Sequence, residues 1–599
     1  MHGSALAAIR LTWRAARAGT LVTVAIAALS GAAVPVAGWL AKLLIDEVAR
    51  GGDVDKAVAL AVVATLAGTV AGVLTYVGSY VTARVQRSVS LHVQDELCAT
   101  TNSLIGLRYF ENPAFHDRVR LAAQAAHGAP GTVTDFGLEV VRKVFTIAGF
   151  LGAMLAIWPF MALLLLIAAI PAFVAQLMIA RRNVEMIEAM TSTMRRQSYY
   201  QMLITEGDAA KEVRLFGLGD LFRSRMRSTL AETTGAELAV RRRSTITEAG
   251  FAVLNAAVAA VGTAVVVVGA IRGTVTLGDV SLFIAAVASL QGAFTSLIMQ
   301  FARVTEALRL FRHYVDLVGS TSDMADGTRP VSALRKGIEL RDVWFRYDED
   351  GPWVLRGVTC TIPFGATVGL VGANGAGKST LVKLLCRLYD PDRGTIHWDG
   401  VDIRELTVAQ LRERIAAVFQ DYMSYDLSAA ENIGIGSLPD LDDRAKIRSS
   451  AQLVDIDEKI SGLANGYDTL ISRMFIDPFG GGGGGVNFSG GQWQRLAIAR
   501  SLMRTDADLL IMDEPSAGLD ATAEHRLGTT LRERRAGRTS LLISHRLNTM
   551  RDADVIVVLS GGRIAEQGSH DELMAADGEY SGLFRLQAEH YQDDRVVLP

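Results

Sequence analysis

The sequence predicts two parts in one chain, a six-span α-helical membrane domain followed by an α/β domain that carries a P-loop. Half of the 599 residues are hydrophobic, more than a single soluble core requires. Long apolar runs without charged residues occur only before residue 303. Beyond residue 336, short β-rich apolar runs alternate with helical stretches, a pattern typical of a largely parallel sheet.

Charge and cysteine content argue against several classes of function. A formal net charge of -3, with no long basic block, argues against nucleic-acid binding. Cys98, Cys360 and Cys386 have neither metal-ligand spacing nor a disulfide framework, so we interpret them as packing residues. The first apolar run, which follows Arg17, is too long for a signal peptide and is interpreted as an uncleaved membrane helix.

Five charge-free runs define the predicted spans. Four are long enough for one crossing each, because a helix needs about 20 residues to cross a bilayer. The fifth, from Val144 to Ala180, is long enough for two crossings, and Trp158 and Pro159 at its midpoint favour a tight hairpin. The predicted spans are 18–44, 57–83, 137–157, 160–181, 249–272 and 280–302.

The distribution of basic residues orients these spans. One side of the topology holds only Lys42, Arg50, Lys56 and Arg272. The other side carries arginines at positions 10, 14, 17, 84, 87, 142, 181, 182 and 241–243. Because basic residues are retained on the cytoplasmic side, we expect an inner-membrane protein with both termini in the cytoplasm.

A polar segment with Gly and Pro divides the chain. The apolar pattern stops at Leu317, and residues 318–336 are predicted to be a linker. The membrane domain would therefore comprise residues 1–317, and the α/β domain residues 337–599.

The motif "GLVGANGAGKST" predicts a phosphate site, because it follows an expected strand and precedes an expected helix. Glycines let backbone amides curl around phosphate oxygens, Lys378 would reach the β and γ phosphates, and the Ser379 hydroxyl would bind Mg²⁺. The residues assigned to this site are Gly372, Asn374, Gly375, Gly377, Lys378, Ser379 and Thr380.

The stretch "ADLLIMDEPSAGLD" ends an apolar strand in two adjacent carboxylates, Asp513 and Glu514. Consecutive strand side chains diverge, so the two can do different work. We assign Asp513 to Mg²⁺ and Glu514 to polarising the water that attacks the γ-phosphate.

The P-loop, "FSGGQWQR", "LLIMDEP" and "LLISHR" occur in that order, and this set resembles the nucleotide-binding domain of ABC transporters. The six-span segment ahead of it resembles an exporter-type half-transporter. The resemblance covers essentially the whole chain, and it implies ATP and Mg²⁺ as ligands.

The resemblance implies roles for residues outside the P-loop. Tyr347 resembles the aromatic residue that stacks on adenine, and Gln420 resembles the Q-loop glutamine that senses Mg²⁺ and the γ-phosphate. Asp520 resembles the D-loop aspartate, and His545 the switch histidine that contacts the γ-phosphate. The signature residues, which would complete the ATP site of a partner, are Ser489, Gly490, Gly491 and Gln492.

The resemblance also implies partners. Two copies would place their nucleotide domains head to tail as a homodimer, and a heterodimer remains an alternative. Segments 107–119 and 211–225 are expected to be coupling helices that dock on a nucleotide domain. The remaining partners are the lipid bilayer and an amphipathic drug, lipid or peptide cargo.

The expected function is ATP-driven transport, with export favoured by the resemblance. Siderophore-type uptake, or a membrane ATPase that regulates a channel or partner, stays open. The run Gly480 to Gly485 lacks a following lysine and hydroxyl, so it is interpreted as a flexible joint and not as a second P-loop.

Overall fold

The computed structural model describes residues 2–157, 159–160, 162–163, 196–205, 207–472, 485–515, 526–530, 532–533, 537–544, 546 and 550–593. The chain divides into two compact units. The first contains Met1–Asn102 and Pro113–Ser320, and the second contains Ser103–Asn112 and Thr321–Pro599. The segment Ser103–Asn112 therefore belongs to the second unit, although its neighbours in sequence on both sides belong to the first.

The described part of the first unit is helical. Its helices are α1 His2–Ala15, α2 Arg17–Ala49, α3 Val54–Asn102, α4 Pro113–Ile157, α5 Gly207–Leu215, α6 Gly219–Ile271 and α7 Leu277–Val318. Among these, α2, α3, α4, α6 and α7 are long and apolar enough to cross a membrane. The predicted span 160–181 and Trp158 of the predicted hairpin lie almost entirely outside the described residues.

Helices α2 and α4 approach each other closely at small residues. A Cβ on Gly31 would lie 2.3 Å from the carbonyl oxygen of Arg142, and one on Gly149 would lie 2.4 Å from Pro35 Cγ. The Thr146 hydroxyl donates to the Gly31 carbonyl at 2.9 Å. Small residues therefore permit this contact, as is usual between membrane helices.

The most apolar part of helix α3 presents its side chains outward, whereas Val85, Val89, Val93 and Leu97 further along the helix are buried. Its most apolar window contains no buried residue, and Val62, Leu66 and Tyr76 are more than half exposed. A continuous apolar surface of this length is unfavourable in water. It suits contact with lipid or with another chain.

The second unit is built on a central sheet. Six described strands follow the order β12-β11-β3-β10-β9-β6, and every neighbouring pair except β11 with β12 is parallel. A second sheet has the order β2-β1-β4-β5, and β7 pairs with β8. The strands are β1 Gly337–Phe345, β2 Leu355–Pro363, β3 Thr367–Val371, β4 Arg393–Trp398, β5 Val401–Asp402, β6 Ile415–Val418, β7 Leu427–Ser428, β8 Leu470–Ile471, β9 Leu509–Asp513, β10 Thr539–Ile543, β11 Val555–Ser560 and β12 Arg563–Gly568.

The parallel strands place the predicted motifs at one edge. Strands β3, β9 and β10 are buried along their whole length, and the P-loop follows β3 while the paired carboxylates follow β9. Because the carboxyl ends of parallel strands meet at one edge, the two motifs come together there. The helices of this unit are α8 Lys378–Leu385, α9 Val408–Glu413, α10 Ala429–Gly434, α11 Arg444–Leu453, α12 Asp457–Ser461, α13 Gly490–Leu502, α14 His570–Ala575 and α15 Glu579–Asp593.

Residues 321–336 pack along the second unit. The fully buried Arg387 donates to the carbonyl of Ala325 at 2.8 Å, and Asp326 accepts from the backbone N–H of Val408 at 2.8 Å. Leu334 lies in the core of the unit. The polar composition that predicted a linker here indicates irregular backbone, but it does not reveal these tertiary anchors.

Candidate functional site

The P-loop has the backbone that the motif requires. Gly372 and Gly377 have φ angles of 156° and 106°, and a Cβ on Gly372 would lie 2.2 Å from the Leu559 carbonyl oxygen. Asn374 and Gly375 lie exposed on the loop. A Cβ on Gly377 would also lie only 2.7 Å from Leu355 Cδ2, so both ends of the loop require glycine for close packing and for backbone geometry.

The side chain of Lys378 lies over this loop. Its Nζ donates to the carbonyl oxygens of Gly372, at 2.7 Å, and Ala373, at 3.0 Å. Burial lowers the pKa of Lys378, while the charges of Glu514 and Asp513 oppose that effect. An ammonium group with two neutral acceptors in a partly desolvated site is well suited to receive an anion.

Asp513 and Ser379 form a pair of oxygen donors. The Ser379 hydroxyl donates to Asp513 Oδ2 at 3.3 Å, and Asp513 is 4% exposed. Burial and the charge of Glu514 raise the pKa of Asp513 to about 6, against the opposing effects of Ser379 and Lys378. A buried carboxylate and a hydroxyl at this distance are the ligand types that Mg²⁺ prefers.

Glu514, which follows Asp513, has its own set of partners. Glu514 adopts a left-handed conformation with φ 51°, and its N–H donates to the Ile543 carbonyl at 2.9 Å. Its Oε2 accepts from Gln420 Nε2 at 3.2 Å, and its carbonyl oxygen accepts from Gln494 Nε2 at 3.1 Å. A left-handed conformation is uncommon outside glycine, and such strain concentrates at functional sites.

Tyr347 lies beside the helix that follows the P-loop. Its hydroxyl and the hydroxyl of the buried Thr380 are 3.0 Å apart. Its ring packs edge-on against Phe345, with centroids 5.0 Å apart, and against Tyr389, with centroids 5.5 Å apart. Thr380 therefore contacts Tyr347, although the motif alone assigned Thr380 to the phosphates.

The predicted signature residues begin α13. Phe488 is buried, whereas Ser489 and Gly490 are exposed, and the Ser489 N–H donates to Gln492 Oε1 at 2.9 Å. The Tyr422 hydroxyl donates to the Gly490 carbonyl at 3.0 Å. In the part of the chain that the structure describes, no hydrogen bond joins Ser489, Gly490, Gly491 or Gln492 to the P-loop.

The structure thus brings together one group of predicted residues and leaves another apart. Gln420, Lys378, Ser379, Asp513 and Glu514 converge at the carboxyl ends of β3 and β9. Helix α13, which the signature residues begin, connects to this group through the side chain of Gln494, which donates to the Glu514 carbonyl. Asp520, His545 and Gly480 to Gly484 lie outside the described residues.

The first predicted coupling segment, 107–119, is divided between the two units. Within the second unit, the N–H of Leu107 donates to the Leu388 carbonyl at 2.9 Å, and Arg412 donates to the Ile105 carbonyl at 2.8 Å. Helix α4 then begins at Pro113. The sequence predicts that this segment docks on a nucleotide domain, but it reveals neither the backbone bonds nor the role of the Glu111 side chain.

The second predicted coupling segment, 211–225, contains a turn between two helices. Helix α5 ends at Leu215 and α6 begins at Gly219. Leu215 is 78% exposed and Phe216 is 65% exposed. This exposed apolar tip is an unusual surface for a single chain in water.

Comparison with known proteins agrees with this architecture. Residues 355–517 match the family model described as "ABC transporter". The protein named ATP-dependent lipid A-core flippase from Alkalilimnicola ehrlichii is 38% identical over 314 residues, which is 52% of this chain and 51% of that protein. Its namesake from Aromatoleum aromaticum is 34% identical over 64% of this chain and 61% of that protein. The chain thus spans between half and two thirds of the length of these relatives.

A solved structure matches over nearly the full length. It is titled "Structure of a bacterial Atm1-family ABC exporter with ATP bound", with a TM-score of 0.74 and 25% identity. The match covers 95% of this chain and 98% of the other. Together with the P-loop site, these similarities show that residues 355–517 form an ABC transporter domain and that the chain has the fold of an exporter half-transporter.

Proposed function

We propose that this chain binds ATP and Mg²⁺ in its second unit and uses hydrolysis to export an amphipathic molecule across the cytoplasmic membrane. The observation that carries the proposal is the convergence of Lys378, Ser379, Asp513, Glu514 and Gln420 at one edge of the sheet. Phosphoryl transfer needs groups of these kinds: a basic side chain, carboxylates that hold the metal ion and activate water, and a polar amide.

The P-loop supplies the binding energy for the triphosphate. Lys378 rests on two neutral carbonyl oxygens, and phosphate oxygens would replace these acceptors with stronger, charged ones. Because burial lowers the pKa of Lys378, an anion beside it also favours the charged form of the lysine. Tyr347 would contact the base of the nucleotide.

The donor set fits Mg²⁺, with Ser379 and Asp513 as ligands and Gln420 beside them. Bound Mg²⁺ would neutralise part of the charge on the phosphates. The Glu514 carboxylate accepts a hydrogen bond from Gln420, and we assign it to accept a proton from the attacking water. Asp520 and His545 keep the roles that the resemblance implies.

The site is completed by a second copy in this proposal. Ser489, Gly490, Gly491 and Gln492 begin a 13-residue helix, where backbone N–H groups favour phosphate. Since no described hydrogen bond links them to the P-loop of the same chain, they suit ATP held by a partner. We infer a head-to-tail homodimer, with a heterodimer of related chains as the alternative, and docking of the exposed Leu215 and Phe216 on a nucleotide unit.

The first unit offers a site for the cargo. A cavity of 520 Å³ lies among α2, α3, α4 and α7, and its charged lining residues are Asp135, Glu139, Arg142 and Arg303. Glu139 is neutralised by Arg142 at 3.0 Å and Lys143 at 3.3 Å. Arg303 makes no ion pair or hydrogen bond with the described residues. A charged cavity beside the apolar face of α3 suits a molecule with an ionic head and an apolar tail.

The name of the flippase relatives makes a lipid the first cargo to test. Purified chain would be reconstituted in sealed vesicles, with ATP hydrolysis and lipid translocation measured for anionic, zwitterionic and neutral lipids. We expect anionic lipids to stimulate hydrolysis and to move away from the ATP side. Movement towards that side would indicate uptake, and partner activation without movement would indicate a regulatory ATPase.

A matched pair of variants tests the cavity. Arg303→Gln removes an unpaired charge from its lining, whereas Arg312→Gln removes an exposed charge further along the same helix. We expect only the first to reduce lipid stimulation while basal hydrolysis stays unchanged. Equal effects of the two substitutions would contradict the assignment of the cavity.

A further inference from the structure

Glu111 lies at the end of the loop Ser103–Asn112, which belongs to the second unit. Its Oε1 accepts from Lys383 Nζ at 2.6 Å, and its Oε2 accepts from the Tyr389 hydroxyl at 2.6 Å. The side chains of Lys383 and Glu111 are only 25% and 37% exposed. Both carboxylate oxygens of Glu111 therefore accept hydrogen bonds from side chains of the second unit.

Both partners of Glu111 touch Tyr347. Lys383 Nζ lies 5.2 Å from the centroid of the Tyr347 ring, and the ring of Tyr389 meets it edge-on at 5.5 Å. Lys383 also belongs to α8, the helix that begins with Lys378 of the P-loop. Two separate routes, one ionic and one aromatic, thus connect Glu111 to the residue that we place at the base of ATP.

The loop that carries Glu111 is anchored along its backbone. The N–H groups of Ile105 and Gly106 donate to Ser322 Oγ at 3.1 Å and Asp323 Oδ1 at 3.3 Å. A Cβ on Gly106 would lie 2.4 Å from Asp323 Oδ2, so this contact has no spare room. These bonds fix the position of the loop that carries Glu111.

We propose that Glu111 and Lys383 are positioning residues, which hold Tyr347 in place and thereby couple the base end of the ATP pocket to the loop Ser103–Asn112. The inference rests on the proposed function, since it assumes that Tyr347 contacts ATP. The Glu111 carboxylate fixes the ammonium of Lys383 beside Tyr347, which Lys383 contacts as well. Without Glu111, Lys383 loses this anchor, and its position against the Tyr347 ring is no longer fixed. Because coupling free energy is reciprocal, displacement of the loop must alter ATP affinity to the extent that ATP alters loop docking.

Binding of ATP and of inorganic tripolyphosphate to the purified full-length chain tests this proposal. Tripolyphosphate carries the phosphates without the base. We expect Glu111→Gln to weaken ATP binding about fivefold, a modest coupling, and to leave tripolyphosphate binding unchanged. An effect of charge alone would change the affinity in the opposite direction, because removing the negative charge of Glu111 should tighten the binding of both ATP and tripolyphosphate.

Three further variants separate positioning from general damage. The double variant Lys383→Gln with Glu111→Gln should weaken ATP binding no more than the more harmful of the two single variants, because each substitution removes the same ion pair between Glu111 and Lys383. Tyr389→Phe deletes a single hydroxyl and should give a smaller loss, again for ATP alone. Arg108→Gln is the matched control, since Arg108 lies on the same loop and pairs with Asp392 at 4.0 Å, both partly exposed.

The outcomes distinguish the inference from the proposed function. If the unmodified chain binds no ATP, the proposed function fails. If it binds ATP, but Glu111→Gln binds ATP as tightly or more tightly, the positioning role is overturned and the proposed function stands. Equal weakening of ATP and tripolyphosphate, or an equal effect of Arg108→Gln, would also overturn it, because either result indicates a general disturbance of the unit.

Discussion

The substitution Glu514→Gln tests the division of labour between the two carboxylates most directly. The introduced amide keeps an oxygen that can accept from Gln420, whose Nε2 lies 3.2 Å from Glu514 Oε2. The backbone stays at φ 51°, and its cost of about 1–2 kcal/mol is the same for both residues. We therefore expect the fold and the P-loop to be retained while the proton acceptor is lost.

The expected loss of activity follows from the role of a general base. Such a group contributes about 10²–10⁴-fold to the rate, which is about 3–5 kcal/mol of activation free energy. ATP binding should stay within about twofold, because Lys378 and Ser379 are untouched. Steady-state hydrolysis and equilibrium ATP binding would be measured on the same preparation of the full-length chain.

The same substitution has a predictable effect on stability. Burial and the charge of Glu514 raise the pKa of Asp513 from 3.8 to about 6, so the folded protein holds this proton more tightly than the unfolded chain does. Asp513 therefore costs stability as the pH rises through this range, and the full cost is present at neutral pH. Removing the charge of Glu514 should recover up to about 1 kcal/mol near neutral pH, and this gain should vanish below pH 3.8.

Asp421→Asn is the matched control, because Asp421 also raises the pKa of Asp513 but has no assigned role in hydrolysis. It should leave the hydrolysis rate within about threefold of the unmodified chain. Hydrolysis at the full rate in Glu514→Gln would refute the assignment of the general base. An equal loss in both variants would show that local charge, and not a proton acceptor, controls the rate.

Three further substitutions test individual contacts. Gly377→Ala should weaken ATP binding at least about tenfold, because the φ angle of Gly377 is 106° and an added Cβ would lie 2.7 Å from Leu355 Cδ2. Unchanged ATP binding would show that the substitution does not strain the P-loop. Arg387→Met should lower the free energy of unfolding by about 3 kcal/mol, since the buried guanidinium donates to three carbonyls, and an unaltered thermal midpoint would contradict this. Asp46→Asn should lower the free energy of unfolding by about 1 kcal/mol, because Asp46 accepts from the N–H of Gly278 at 2.8 Å and the amide retains only one acceptor oxygen. Thermal unfolding in detergent measures this loss, and a variant more stable than the unmodified chain would disprove the prediction.

The sequence predicts the phosphate site well because its signals are local. The spacing of Gly372, Gly377 and Lys378 specifies a loop geometry within a few residues, and the structure has that loop between β3 and α8. Asp513 and Glu514 were recognised in the same way, by a buried strand that ends in two acids. Their roles in hydrolysis are predictions, which the substitution Glu514→Gln tests.

Contacts between distant parts of the chain were not predictable in this way. Glu111 and Lys383 are 272 positions apart, and neither belongs to a motif. Gln494 follows the signature by two residues, yet its contact with the Glu514 carbonyl depends on how α13 packs against the end of β9. Such pairs depend on tertiary packing, for which a single sequence offers no periodicity or spacing rule.

The position of the loop Ser103–Asn112 has a mechanical consequence. The chain passes between the two units at Asn102, at Asn112 and at Ser320. Inside the second unit, the Tyr109 hydroxyl donates to the Thr321 carbonyl at 3.1 Å, and Ser322 accepts from the Ile105 N–H. These bonds join the three crossings to one another. A displacement of the second unit must therefore reach α3, α4 and α7 together, which makes these helices the natural recipients of any change that ATP produces.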